Sequence, residues 1–153
     1  MKRFGGLVAT ACILAFATCA SGCQQPDQGG GRSLMTEALK GVWRPVRLMA
    51  DRAPIADQLT LEIDARAGRV SGFAGCGRFT AKWNGYGLWA SLSEFTPEVA
   101  SCPSIAHTQA QQIYLGTLAA TERYTVQSGP DGDQLLLFTK GDNPPSVFVR
   151  ADR

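Results

Sequence analysis

Short apolar runs punctuated by Gly, Pro, Asn and Asp recur from Val42 to Arg150, and this rhythm points to an antiparallel sheet that curls or closes on itself. The clearest instance is LTLEID. Leu59, Leu61 and Ile63 share one face, and Thr60, Glu62 and Asp64 share the other, the period of two of a half-buried strand. After the turn ARAG, RVSGFAG continues as a strand whose Gly72 and Gly75 predict a bulge or a close backbone approach. RFTAKW then turns Phe79, Ala81 and Trp83 inward. NGYG supplies a turn, and LWASLSEF returns with Leu88, Ala90 and Leu92 inward. Upstream, the stretch from Val42 to Met49 holds Trp43, Val46 and Leu48, with Pro45 restricting it to an edge or a bulge. Between Ser104 and Thr121 the period changes: Ala106, Ala110, Ile113, Tyr114, Thr117 and Leu118 recur at helical spacing behind Pro103. Three further strands, near Tyr124 to Gln127, Leu135 to Thr139 and Val147 to Arg150, are separated by GPDGD and GDNPP. The expected fold is mainly β: a small antiparallel β-barrel-like or strongly curved sheet of about eight strands, with one α-helix covering an open end or edge.

The N-terminus has the layout of an export signal. Met1, Lys2 and Arg3 lead into GGLVATACILAFATCA and then the small residues Ser21 and Gly22. A retained membrane-spanning helix fits less well, because the run is short and is followed by polar QQPDQGGGRS. The tetrad ASGC resembles a lipobox with Ala20 in place of the usual leucine, which makes Cys23 the site of lipidation. This divides the chain into a signal peptide over 1–22, a lipidated N-terminus and flexible linker over 23–36, and one domain over 37–153. Gln24 after the cysteine, rather than aspartate, favours an outer membrane facing the periplasm where the cell has two membranes. The net charge of +2 loses Lys2 and Arg3 with the signal, and the remaining basic residues are scattered. That pattern gives no electrostatic reason to bind nucleic acid.

Of the five cysteines, Cys12 and Cys19 fall in the signal and Cys23 carries the lipid, so Cys76 and Cys102 remain as a disulfide pair suited to an oxidising compartment. Their bond closes a loop of about 26 residues, for a stabilisation of roughly 3 kcal/mol on the chain-entropy model. A nucleophilic Cys102 with His107 as base has no orienting third group, and zinc bound by Cys76, Cys102 and His107 has no fourth ligand. His107, the only histidine, reads more simply as a solvated or capping helix residue. GFAGCG leads into a strand, not the helix that a phosphate loop needs, and Glu62 and Asp64 read as a solvated face. No cofactor or metal is expected. Trp89 is out of phase with its inward neighbours and is a candidate contact residue, unless a loop covers it or a bulge reverses the register.

The string RVSGFAGCGRF, followed by Thr96, Ala100, Cys102 and Pro103, resembles the META domain family, which includes HslJ-like bacterial heat-shock lipoproteins. The matching residues are Trp43, Ser71, Gly72, Gly75, Cys76, Arg78, Phe79, Thr96, Cys102 and Phe148, and the likeness runs from Leu39 to Arg150. Two departures stand out: Gly77 occupies a position usually held by Asn, and VASC replaces the usual Met-Ala-Cys ending. The resemblance implies a small barrel-like fold, secretion or surface anchoring, and an association with envelope stress. It implies no enzymatic activity. The expected protein is a non-enzymatic lipoprotein, held in the membrane through Cys23, that binds another envelope protein or ligand. Two alternatives are an inhibitor of a hydrolase such as lysozyme, acting through GPDGD or the loop around Ser101, and a carrier of apolar ligands, which the bulk of Phe79, Trp83 and Leu88 disfavours.

Overall fold

A computed structural model describes residues 36–48, 58–98, 100–130 and 132–151. A short helix α1 over residues 36–39 leads into β1 (Gly41–Arg47), β2 (Thr60–Asp64), β3 (Arg69–Phe73), β4 (Arg78–Tyr86) and β5 (Trp89–Pro97). Helix α2 (Ile105–Ala119) follows, then β6 (Thr121–Gly129), β7 (Gly132–Thr139) and β8 (Ser146–Arg150). All neighbouring strands are antiparallel, and β8 returns to pair with β1, closing an eight-stranded barrel. Closure removes the edge that α2 was expected to cover, and α1 adds a helix that the sequence reading places partly in the linker.

The alternation read from the sequence places the core correctly at Leu59, Leu61, Ile63, Phe79, Ala81, Trp83, Ala90 and Leu92, all buried. Pro45 sits at the predicted bulge, where the β1–β8 register shifts between Pro45 and Arg47. Two expectations need correction. NGYG is not the turn: Asn84, Gly85 and Tyr86 continue β4, and Tyr86 pairs directly with Trp89. The hairpin therefore turns on Gly87 and Leu88, with Gly87 at φ 59°, the conformation a tight turn asks of glycine at this position. Leu88 consequently lies at the tip and is exposed rather than inward. On α2, Ala110, Tyr114, Thr117 and Leu118 are buried, but Ala106 is exposed because it lies in the first turn, before the helix reaches the core.

β5 changes phase partway. Ala90 and Leu92 face inward, the β4–β5 register then shifts between Thr80 and Lys82, and Phe95 rather than Glu94 packs toward the core. Glu94 takes φ 54° in this bulge and pairs with Lys82 at 3.2 Å.

The interior is filled by aromatic and aliphatic side chains. Tyr114 of α2 is fully buried, its ring edge-on to Phe79 at 6.0 Å and 6.4 Å from Phe148, and its hydroxyl donates to the Thr60 carbonyl at 2.9 Å. Burial pushes the Tyr114 hydroxyl pKa well up, so it stays protonated and keeps donating. Among the described residues β5 and β6 share one register pair, Trp89 with Arg123, extended by the Tyr124 amide donating to the Leu88 carbonyl at 2.9 Å.

Arg150 closes the other end of the chain path. Its guanidinium lies 4.7 Å from the Trp43 ring centroid, donates to the Lys40 and Ala38 carbonyls at 2.7 Å each, and pairs with Asp133 at 3.2 Å. Trp43 Nε1 donates to the Leu39 carbonyl at 2.9 Å. The planar fork thus satisfies the carbonyls that end α1 while tying β7 and β8 to the domain's N-terminal entry. Arg150→Ala is expected to cost about 2–3 kcal/mol in urea unfolding, because it strands two carbonyls and a carboxylate. Arg150→Lys should recover less than half, since an ammonium cannot span all three acceptors; full recovery by Lys would disprove the fork.

Candidate functional site

The up-and-down topology sorts the barrel into two ends with different chemistry. At one end lie the β3–β4 turn and the start of α2, whose far end leads into Thr121 beside the other. At the other lie α1 and the turns β2–β3, β4–β5 and β6–β7.

The first end gathers most of the residues that carry the family resemblance, whereas Trp43 lies at the other end, against α1 and under Arg150. Cys76 and Cys102 are bonded, with Cα atoms 4.7 Å apart, joining the β3–β4 turn to the segment before α2. Cys102 therefore offers no free thiol to His107 in this state. The Ser104 hydroxyl caps α2, accepting from the His107 amide at 3.4 Å and lying 2.8 Å from His107 Nδ1, so Ser104 is the cap and His107 the residue it holds. Gly75 takes φ 99°, and Gly72 faces the Thr60 carbonyl so closely that a Cβ would collide with it. Gly77 is not left-handed; it is confined instead by Ala100 and Glu98, where a Cβ would lie 3.1 Å and 3.2 Å from their atoms. A side chain here would need its neighbours to give by a few tenths of an ångström, and the backbone does not call for the left-handed conformation that Asn tolerates. The Arg78 amide donates to the Glu98 carboxylate at 3.2 Å, and the Glu98 amide donates to the Arg78 carbonyl at 2.8 Å. Ser71 donates to Glu62 at 3.3 Å on the outer face, Thr96 pairs opposite Thr80, and Phe79 stacks 6.2 Å from Phe95. Asp64 accepts from the Ala67 amide at 2.9 Å and so shapes the β2–β3 turn.

The second end carries a group of exposed apolar side chains, while Val46 and Ile105 are exposed singly elsewhere. β4 runs on past Lys82, which is level with Arg69 at the β2–β3 turn, and carries the β4–β5 tip outward. There Tyr86 is 70%, Leu88 55% and Trp89 61% exposed, and a Cβ on Gly87 would meet nothing within 4 Å. The Arg123 guanidinium lies 6.0 Å from the Trp89 ring and 5.4 Å from that of Phe138, a cation resting on the aromatic surface. Beside the tip an open concavity of about 740 Å³ is bordered by Trp83, Gly85, Tyr86, Trp89 and Glu122. Trp83 closes its floor, since its indole occupies the space a Cβ on Gly85 would need, with Nε1 2.6 Å from that position, and its ring stands edge-on to Tyr124 at 5.5 Å. Sequence reasoning singled out Trp89 but missed Tyr86, Leu88 and Arg123. The signal available was NGYGLW, where moving the turn by two residues puts three large side chains at one tip.

Among the described residues no cluster of His, Cys, Asp and Glu could hold a metal ion, and no helix is long and apolar enough to cross a membrane. Cys23, the signal peptide and the linker up to residue 35 lie outside the described residues.

Comparison with known proteins agrees with the fold. A solution NMR structure of a protein from Burkholderia xenovorans superposes with a TM-score of 0.61 at 24% identity, over 78% of this chain and 88% of that one. No curated protein matches the chain. The META domain family profile matches residues 36–153, a span that includes the barrel, α2 and the disulfide. With the SGFAGCGRF segment, the Cys76–Cys102 bond and the eight-stranded barrel in register with that span, the chain belongs to the META domain family.

Proposed function

We propose that this protein is a lipid-anchored envelope lipoprotein whose META domain binds rather than catalyses, with the β4–β5 tip as its contact surface. The observation that carries the reading is the grouping of Tyr86, Leu88 and Trp89, all exposed, at one protruding turn. Large apolar side chains gathered on a surface mark a place that meets something else. The N-terminal sequence supplies the location: a cleavable signal, Cys23 as the acylated residue, and an outer membrane facing the periplasm where two membranes exist. Membership of the META domain family supports reading its role as one under envelope stress, of the HslJ-like kind. Among the described residues the barrel interior is filled by large side chains such as Trp43, Phe79, Tyr114 and Phe148, which argues against an apolar carrier.

The test is the intact mass of the protein taken from its membranes, before and after reduction and alkylation. The expected species begins at Cys23, carries acyl chains, and alkylates at Cys76 and Cys102 only after reduction. A chain that begins elsewhere without acyl groups would remove the anchor.

A further inference from the structure

We infer that the β4–β5 tip docks on the lipid bilayer itself, with Tyr86, Leu88 and Trp89 seated in the interfacial layer of the membrane that holds Cys23. This rests on the anchored reading above and names the partner of the same surface.

Three observations converge. The tip has the chemistry of an interfacial anchor: two amphipathic aromatics, one aliphatic side chain, and the Arg123 guanidinium held over the Trp89 ring, a cation that suits lipid phosphates. Tip and tether also leave the barrel from the same end. Ala65 borders both the concavity beside Tyr86 and Trp89 and a second one formed by Thr36, Glu37 and Lys40, where the described chain begins. Finally, the chain between Cys23 and Thr36 is short. Residues 24–35 span at most roughly 40 Å even fully extended, so the end of the barrel where Thr36 emerges stays within that reach of the bilayer. A weak interfacial contact there acts at high effective concentration, because the anchor has already brought it to the surface. A protein partner would need none of this coincidence between the tip and the tether's exit.

The chain has three tryptophans, of which Trp43 and Trp83 are buried and Trp89 is exposed, so comparison with Trp89→Phe isolates the emission of Trp89. The mature chain would be coupled through the Cys23 thiol to a maleimide-headgroup lipid in phosphatidylcholine vesicles; with Cys76 and Cys102 bonded, Cys23 is the reactive thiol. Chemical coupling makes the test independent of whether the cell acylates Cys23, which the mass measurement reads separately. The Trp89 component is expected to shift to the blue on coupling, to lose intensity when the acyl chains are brominated, and to gain protection from aqueous iodide. A probe tryptophan introduced by Ile105→Trp in the Trp89→Phe background, at the start of α2 on the opposite end, should remain open to iodide. If Trp89 keeps its iodide access and ignores the bromines, the tip does not dock on lipid and the proposal falls. Protection that arises only on adding envelope proteins would also overturn it, in favour of a protein partner.

Discussion

Gly72→Ala is expected to lower the unfolding free energy by about 3–5 kcal/mol, a fall in melting temperature of roughly 12–20 °C for a domain of this size. The reason is space, not backbone conformation, since Gly72 is not among the glycines of positive φ. A Cβ there would overlap the Thr60 carbonyl and stand 2.9 Å from a ring carbon of Phe79. Neither neighbour can yield cheaply. The Thr60 carbonyl belongs to β2 next to β3, and it also accepts the Tyr114 hydroxyl that pins α2 over the barrel, while Phe79 is packed between Phe95 and Tyr114. Moving that carbonyl forces the loss of a partly buried hydrogen bond as well as a steric cost, so the damage should spread to the helix. Tyr114→Phe removes the same bond by itself, and the two substitutions together should cost less than their sum. Gly87→Ala is the control. It suffers only the left-handed backbone penalty, about 1 kcal/mol, because open space surrounds the tip. Equal midpoints for Gly72→Ala and Gly87→Ala in urea would refute the packing argument.

The parts of this fold that could be read from the sequence are those set by local alternation. LTLEID and RFTAKW declare their inward faces because one side of each strand is buried and the period is two. The β4–β5 turn is not legible in the sequence because NGYG contains a strong turn dipeptide that the β4 strand overrides: Gly85 is needed in the strand to leave room for the Trp83 indole. A shift of two residues preserves the parity, so Ala90 and Leu92 stayed correct while Leu88 moved from core to tip. The phase change at Glu94 follows from a bulge that no glycine announces. Closure of β8 on β1 and the reach of Arg150 to Ala38 and Lys40 join residues over a hundred positions apart in the chain, and such pairings leave no local pattern. The candidate surface was half legible for the same reason. Trp89 stood out by phase, but its grouping with Tyr86, Leu88 and Arg123 depends on where the turn falls and which strand lies beside it.

Removing the Cys76–Cys102 bond, by reduction or by Cys76→Ser with Cys102→Ser, is expected to cost roughly 3 kcal/mol and about 10–15 °C in melting temperature. The expected route differs from that of Gly72→Ala. The bond closes a sequence separation of 26 residues that takes in β4 and β5, and in the folded chain it ties the β3–β4 turn to the entry of α2. Those elements are also held by Tyr114 on Phe79, by the Ser104 cap and by the Arg78–Glu98 amide and carbonyl bonds, so the native barrel should survive the loss with its fluorescence at Trp89 unchanged. The cost then falls mainly on the unfolded chain, which gains the freedom the bond had denied it and exposes more surface to denaturant. Urea unfolding separates the two cases. The reduced protein should show a lower midpoint with a steeper dependence on urea, whereas Gly72→Ala should lower the midpoint at unchanged slope. A reduced protein whose slope stays constant while its native α2 contacts are lost would place the role of the disulfide in the folded barrel instead, and would make Cys102 the hinge on which the helix is held.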